Sequence, residues 1–168
     1  MSIQRLPNAS AFVPDKLIID TNVWLYTAFK LAHARYLAQA KQYQSFILEL
    51  IAHRQTTVLI PNSVCREITS VWIRHEIDPD SILRGKAYKA ARQQYTFPLL
   101  GDRFQQLADV GCRFLPEPFD YDILTRILDT LPQADYTDAL LVQLARQEQA
   151  ALLTHDADFG AFADQVDI

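Results

Sequence analysis

Four short runs of apolar and β-branched residues, separated by longer helix-forming stretches, constrain the fold of this chain most strongly. The runs are KLIID at 16–20, TTVLI at 56–60, CRFLP at 112–116 and AALLT at 150–154. Apolar runs of this length are typical of strands buried on both faces of a parallel sheet, and the helices between them supply the crossovers. The alternation predicts an α/β fold with a mainly parallel sheet.

The stretches between these runs are predicted to form helices. We expect Asn62 or Ser63 to cap the helix after the second strand. Phe97-Pro98 and Gly101 are expected to interrupt the helical pattern in the middle of the chain. The approximate helical ranges are 33–53, 62–75, 80–97, 102–110, 120–130 and 135–149.

The composition suits a single domain over 1–168, with a helical excursion at about 76–111. The chain has 168 residues, 49% of them hydrophobic, which is enough for a core of ordinary size. No apolar run approaches the roughly 20 residues that span a bilayer, and the N-terminus shows no secretion signal. Cys65 and Cys112 belong to no metal-binding pattern, so we expect two reduced thiols and a cytoplasmic location.

The charge is unevenly distributed along the chain. The net charge is −4 and the pI about 5.5, but nucleic-acid binding depends on local basic surface. The stretch 84–103 carries five basic residues and one acid, whereas acids concentrate in the last third. This asymmetry fits an acidic metal pocket flanked by a basic substrate track, and it fits an ordinary solvated helix equally well.

Carboxylates follow three of the predicted strands. In open parallel sheets, ligands bind beyond the carboxyl ends of the strands. Asp20 ends the first run, Glu67 follows the second, and Asp156 and Asp158 follow the last. Asp138 falls on the apolar face of the predicted helix at 135–149, where a carboxylate is unusual.

Each of these acids also has a structural interpretation. Asp20 can cap the helix that follows, and Glu67 can interact with a helix dipole. Asp135 and Asp138 resemble a capping arrangement, and aspartates are common in turns. Taken together, converging carboxylates repel one another. Mg²⁺ or Mn²⁺ removes that repulsion and supports hydrolysis at phosphorus.

The chain resembles the PIN-domain family, which includes VapC-type toxins and RNA-processing nucleases, over about 16–165. The segments that carry the resemblance are IIDTNVW, IPNSVCREI, DYTDALLVQLA and LLTHDADF, in this order. The resemblance implies a three-layer α/β/α Rossmann-like sandwich with a central sheet of 4–5 strands. It also implies metal-dependent cleavage of RNA.

The resemblance assigns roles to individual residues. Asn22 and Thr154 match positions that orient the first acid or the metal-bound water. Asp135 would bind substrate, support Asp138 or only cap its helix. The expected metal-binding acids are Asp20, Glu67, Asp138 and Asp156, with Asp158 as a helper.

We therefore expect an endoribonuclease that acts on RNA, the toxin of a toxin–antitoxin pair with an antitoxin partner, and a homodimer. A catalytically silent PIN-like module that binds RNA or protein is the alternative. A haloacid-dehalogenase phosphatase is disfavoured, because Asn22 stands where its second acid is needed. A receiver domain is disfavoured because no acidic pair precedes the strand.

The chain departs from the family pattern in two places. The stretch 76–111 is longer than in a small VapC toxin. The last residues, Val166–Ile168, supply only a stub of the usual final edge strand, or the native protein continues beyond them.

Several further residues have two interpretations. His155 contacts a phosphate or is a tolerated turn residue. Trp24 and Tyr26 stack on a base or pack the first helix. Arg66 and Arg74 hold a phosphate or only solvate their helix.

Overall fold

A parallel sheet of four strands forms the centre of the molecule. The computed structural model describes residues 13–31, 36–53, 56–80, 82–94, 98–117, 121–130 and 135–162. In these residues the strands are β1 (Lys16–Ile19), β2 (Thr57–Pro61), β3 (Arg113–Leu115) and β4 (Ala151–Leu153). All pairings are parallel and the strand order is β3-β2-β1-β4. The predicted strands are confirmed with shifts of one residue at their ends.

Helices cover both faces of this sheet and complete a three-layer α/β/α sandwich, as predicted. A 3-10 helix over Ala157–Phe162 follows β4. The α-helices in the described part of the chain are α1 (Thr21–Thr27), α2 (Leu37–His53), α3 (Asn62–Ile77), α4 (Gly85–Gln93), α5 (Pro98–Asp109), α6 (Tyr121–Thr130) and α7 (Tyr136–Glu148). Among the described residues, no helix has the length and apolar character needed to cross a membrane.

The core lies on the two faces of β1, an interior strand of the sheet. Leu17, Ile18 and Ile19 are at most 1% exposed, because strands pair on both edges of β1 and helices cover its faces. Ile19 is in register with Leu153 of β4. The Asp20 N–H then donates to the Leu153 carbonyl over 2.9 Å. This register brings the residues that follow β1 and β4 side by side.

The predicted caps and breaks in the middle of the chain were partly wrong. Neither Asn62 nor Ser63 caps α3, because the helix begins at Asn62 and Pro61 occupies the cap position. The Ser63 N–H instead donates to the Glu117 carboxylate. Gly101 does not end a helix but lies inside α5. That helix begins at Pro98, since proline is tolerated in a first helical turn.

The helix predicted from residue 80 begins only at Gly85. Asp78, which is 4% exposed, accepts hydrogen bonds from the N–H groups of Ile82 and Leu83 at 2.7 and 2.9 Å. It also pairs with Arg74 at 3.3 Å. The buried carboxylate thus holds the connection between α3 and α4 in a non-helical conformation. The start of the helix predicted at 33, Phe97 and the stub at 166–168 lie outside the described residues.

Candidate active site

The carboxyl ends of the central strands gather the predicted acids in one region. Asp20 directly follows β1, Asp156 follows β4, and Glu67 lies in the second turn of α3, after β2. Asp138 lies in the first turn of α7. The charges of Glu67 and Asp156 act on Asp20, and the charges of all three act on Asp138. Glu67 and Asp156 therefore lie close enough to Asp20 and Asp138 for their charges to help raise the pKa of those two acids.

Asp20 is the most buried of these acids, with 5% of its surface exposed. Its pKa is raised from 3.8 to about 6. Burial is the main cause, hydrogen bonds from Thr154 and the Thr21 backbone oppose the rise, and the charges of Glu67 and Asp156 add to it. Asp20 occupies the N-cap position of α1 without a side-chain cap hydrogen bond. A helix cap therefore does not account for its carboxylate.

Thr154 connects the ends of β1 and β4. Its hydroxyl donates to Asp20 Oδ2 over 3.0 Å and accepts from the Asp156 N–H over 2.9 Å. Asp156 Oδ1 in turn accepts from the Asp158 N–H over 2.9 Å. Asp158 itself is exposed. The turn after β4 is thus tied to Asp20 through one hydroxyl group.

Thr21 is a site residue that the sequence did not single out. It is 1% exposed, and its hydroxyl donates to Glu67 Oε2 over 2.9 Å, which links α1 to α3. Glu67 is otherwise exposed, and Asn22 is half-buried in the first turn of α1. The only signal for Thr21 was its position next to Asp20, because the pairing with Glu67 depends on how α1 and α3 pack.

Asp138 lies in the capped first turn of α7 and has a raised pKa. Its N–H donates to Asp135 Oδ1 over 3.0 Å, so the predicted capping of α7 by Asp135 is present. The Asp138 pKa is raised from 3.8 to about 7. Burial is the largest cause, and smaller contributions come from the neighbouring charges of Asp135, Asp20, Asp156 and Glu67. Asp138 is half-buried and lies within range of the charges of the other three acids.

An aromatic cluster borders the acids on the side of α1 and α2. Nδ1 of His155 lies 3.0 Å from the Tyr43 hydroxyl. The rings of Tyr26, Tyr36 and Tyr43 meet the His155 ring edge-on, with centroids 5.3, 5.0 and 5.8 Å away. His155 is at least 112 positions from each tyrosine, so no local pattern could reveal the cluster. Trp24, by contrast, is 2% exposed and packs in the core.

The acids match a hard divalent cation in atom type and charge, although they are not arranged as a finished ligand set. Within the described residues, no three His, Cys, Asp or Glu side chains are positioned to hold one metal ion. The donors available are carboxylate oxygens, which Mg²⁺ and Mn²⁺ prefer. Burial and, after it, the neighbouring carboxylates raise the pKa of Asp20 and Asp138, and a cation would relieve the repulsion between the carboxylates.

The comparisons with known proteins agree with this architecture. A family model described as PIN domain matches residues 17–165, nearly the whole chain. A search of curated proteins found no match.

Proposed function

Because this chain belongs to the PIN-domain family, whose members are generally metal-dependent nucleases, we propose that it is an endoribonuclease that hydrolyses RNA phosphodiester bonds. The ion would be Mg²⁺ or Mn²⁺. We assign Asp20, Glu67, Asp138 and Asp156 to hold it, with the exposed Asp158 as a helper at the edge of the site. The cleavage products would be RNA fragments, since the proposed cut is internal.

The observation that carries this proposal is the position of two buried or half-buried carboxylates, Asp20 and Asp138, within reach of the charges of Glu67 and Asp156. The pKa values of Asp20 and Asp138 are raised to about 6 and about 7, mainly by burial and partly by the neighbouring carboxylates. Such a group of acids destabilises a protein unless a cation or a proton neutralises it. Metal binding at this position is therefore favoured by the chain's own charges.

The surrounding residues would hold the acids in place. Thr154 orients Asp20 through its hydroxyl, and Thr21 orients Glu67. Asp135 caps α7 and so fixes the turn that carries Asp138. Asn22 lies in the first turn of α1, where we assign it a supporting role. When bound, the metal would supply positive charge that stabilises the phosphodiester oxygens during hydrolysis.

Cleavage of RNA by purified protein tests the proposal. We expect cleavage with Mg²⁺ or Mn²⁺, none with a chelator, and a loss of at least about a hundredfold in Asp20→Asn and Asp138→Asn, the order expected when a charge-stabilising group is removed. Glu148→Gln is the matched control, because Glu148 pairs with Lys16 at the other end of β1. Full activity in both asparagine variants contradicts the assignment.

The finer part of the proposal is that the chain is a toxin whose RNA cleavage is held in check by an antitoxin protein. PIN nucleases often have antitoxin partners. Induced expression in a bacterial host should arrest growth, and Asp138→Asn should abolish the arrest. Unimpaired growth with active wild-type protein would contradict the toxin assignment and leave the nuclease intact. Light scattering of the purified protein tests the proposed homodimer.

A catalytically silent module that binds RNA or protein is the competing function. It predicts no divalent-ion binding by calorimetry at neutral pH and no RNA cleavage with any metal. The complete set of acids favours the enzyme over this alternative.

A further inference from the structure

We infer that a groove beside the acids binds one unpaired nucleotide of the substrate strand, with Arg66 contacting its phosphate and Tyr136 stacking on its base. The inference rests on the proposed ribonuclease function and extends it to substrate recognition. The groove lies between the N-terminal halves of α3 and α7 and encloses about 490 Å³.

The groove is continuous with the acid site. Glu67 lines it and also accepts the Thr21 hydroxyl next to Asp20. Tyr136, on the opposite wall, stands two residues before Asp138 on the same helix. A strand lying in the groove would therefore pass directly to the four acids.

Arg66 is a cation available to a ligand. It is exposed and forms no ion pair with another residue of the described ranges. Glu117, an acid that lines the groove, accepts the Ser63 N–H instead. Glu67 is likewise engaged by Thr21. A guanidinium group binds phosphate oxygens in pairs, so Arg66 suits a nucleic-acid backbone.

The contrast with Arg74 sharpens this assignment. Arg74, two turns further along α3, pairs with Asp78 at 3.3 Å and donates to the Leu83 carbonyl. It also lies 4.5 Å from the centre of the Tyr88 ring. Its charge is thus used within the fold, which leaves Arg66 as the arginine of α3 that faces the groove.

Tyr136 provides an aromatic surface on the opposite wall. It is the first residue of α7 and 41% exposed, and Leu140 below it is 4% exposed. An exposed ring over an apolar floor is the arrangement on which a base stacks, whatever its identity.

The size of the groove favours an unpaired nucleotide. Its volume of about 490 Å³ falls in the roughly 300–1,000 Å³ range of small-ligand sites. Double-stranded RNA presents its phosphates and hydroxyls on an outer surface and keeps its bases stacked inside. A splayed base can enter a concave site, whereas a duplex cannot.

Binding of a fluorescein-labelled single-stranded RNA, measured by fluorescence anisotropy with a chelator present, tests the inference without cleavage. Arg66→Ala should weaken binding and lower the slope of log affinity against log salt by about one, because one phosphate contact is lost. Arg66→Lys should keep the slope. Tyr136→Ala should weaken binding at least about fivefold, and Tyr136→Phe should retain it.

Two matched controls remove similar side chains elsewhere. Arg146 lies in the last turn of α7, at the end of the molecule away from Asp138, and Tyr121 begins α6 with 81% exposure. Arg146→Ala and Tyr121→Ala should bind RNA like the wild type. Equal affinity in the groove variants and the wild type overturns the inference, as does an equal loss in the controls or equal binding of duplex RNA.

A cleavage assay on the same proteins separates this inference from the proposed function. If RNA binding depended on the groove residues but no divalent metal supported cleavage, the proposed nuclease activity would be refuted and the nucleotide-binding role of the groove would stand. If the wild type cleaved RNA but Arg66→Ala and Tyr136→Ala bound RNA as the wild type does, the nuclease activity would stand and the nucleotide-binding role of the groove would be refuted. In that case the groove would be free for another occupant, such as an antitoxin segment.

Discussion

The Thr154 hydroxyl donates a hydrogen bond to Asp20 Oδ2 over 3.0 Å, across the adjacent ends of β4 and β1. The same hydroxyl oxygen accepts the Asp156 N–H over 2.9 Å. One side chain therefore orients the most buried acid of the candidate site and positions the turn that carries another. The hydrogen bond also opposes the rise in the Asp20 pKa that burial causes.

Thr154→Val should separate this role from simple packing, because valine keeps the shape of threonine and removes the hydroxyl. We expect a loss of about 1–3 kcal/mol in the free energy of unfolding, since a buried carboxylate and an N–H lose a partner. The Asp20 pKa should rise, because the Thr154 hydrogen bond lowers it in the wild type. Urea unfolding and carboxyl-carbon NMR titration measure the two effects.

Thr154→Ser is the control for that experiment, since serine keeps the hydroxyl and loses only a methyl group. It should restore most of the stability and return the Asp20 pKa towards about 6. If serine and valine gave the same titration of Asp20, the hydrogen bond would not be what orients the acid.

Asp20→Asn should stabilise the metal-free protein at alkaline pH. The folded-state pKa of Asp20, about 6, is above the ordinary value of 3.8. The folded state therefore binds more protons between these values, and the wild type loses stability as pH rises through that window. At about 1.4 kcal/mol per pKa unit, the shift corresponds to a loss of about 3 kcal/mol in the free energy of unfolding. The asparagine variant has no titrating group at this position and does not show that loss.

Urea unfolding with a chelator, at about pH 4 and about pH 8, measures the difference between the two proteins. The asparagine variant should exceed the wild type only at the higher pH. Asp80→Asn, which removes a charge at an exposed turn, should show no comparable gain. A pH-independent difference between Asp20→Asn and the wild type would contradict the shifted pKa.

The sheet could be predicted from the sequence because its strands are short apolar runs, which are typical of buried strands and too short for helices. The interactions that connect them could not. Thr21 and Glu67 are 46 positions apart, and their contact depends on the packing of α1 against α3. Likewise, the prediction that a helix starts at residue 80 was wrong. Asp78 accepts hydrogen bonds from the N–H groups of Ile82 and Leu83, and these bonds hold the loop before α4 in a non-helical conformation.

The candidate site shows the same division. The positions of Asp20 and Asp156 followed from strand ends, since parallel strands present their carboxyl ends at one edge. The contact of His155 with three tyrosines could not be predicted in this way, because Tyr43 lies on α2, 112 positions away in the sequence. Local patterns predict which residues stand at an edge, whereas side-chain partners require the packed structure.

Tyr43→Phe tests the contact with His155. The change removes the hydroxyl 3.0 Å from Nδ1 and keeps the ring that meets the histidine edge-on. We expect a loss of about 1 kcal/mol in the free energy of unfolding, the value of one hydrogen bond. Tyr43→Leu should cost about 0.5–1.5 kcal/mol more, because the aromatic contact is lost as well.

The control for Tyr43 is Tyr121→Phe, since Tyr121 is 81% exposed. Urea unfolding of the three variants should rank Tyr121→Phe nearest the wild type. Equal stability of the two phenylalanine variants would show that the His155 contact contributes nothing to folding.

Asp135 offers a test in which capping and charge act separately. Its carboxylate caps α7 by accepting the Asp138 N–H, and its charge is the second largest cause of the raised Asp138 pKa. Asp135→Ala should remove both effects and cost about 1 kcal/mol of stability. Asp135→Asn should keep the cap and its stability, yet lower the Asp138 pKa from about 7, because the neighbouring charge is gone.

NMR titration of Asp138 together with urea unfolding distinguishes the two contributions. An unchanged Asp138 pKa in Asp135→Asn would mean that the Asp135 charge does not contribute to the raised value.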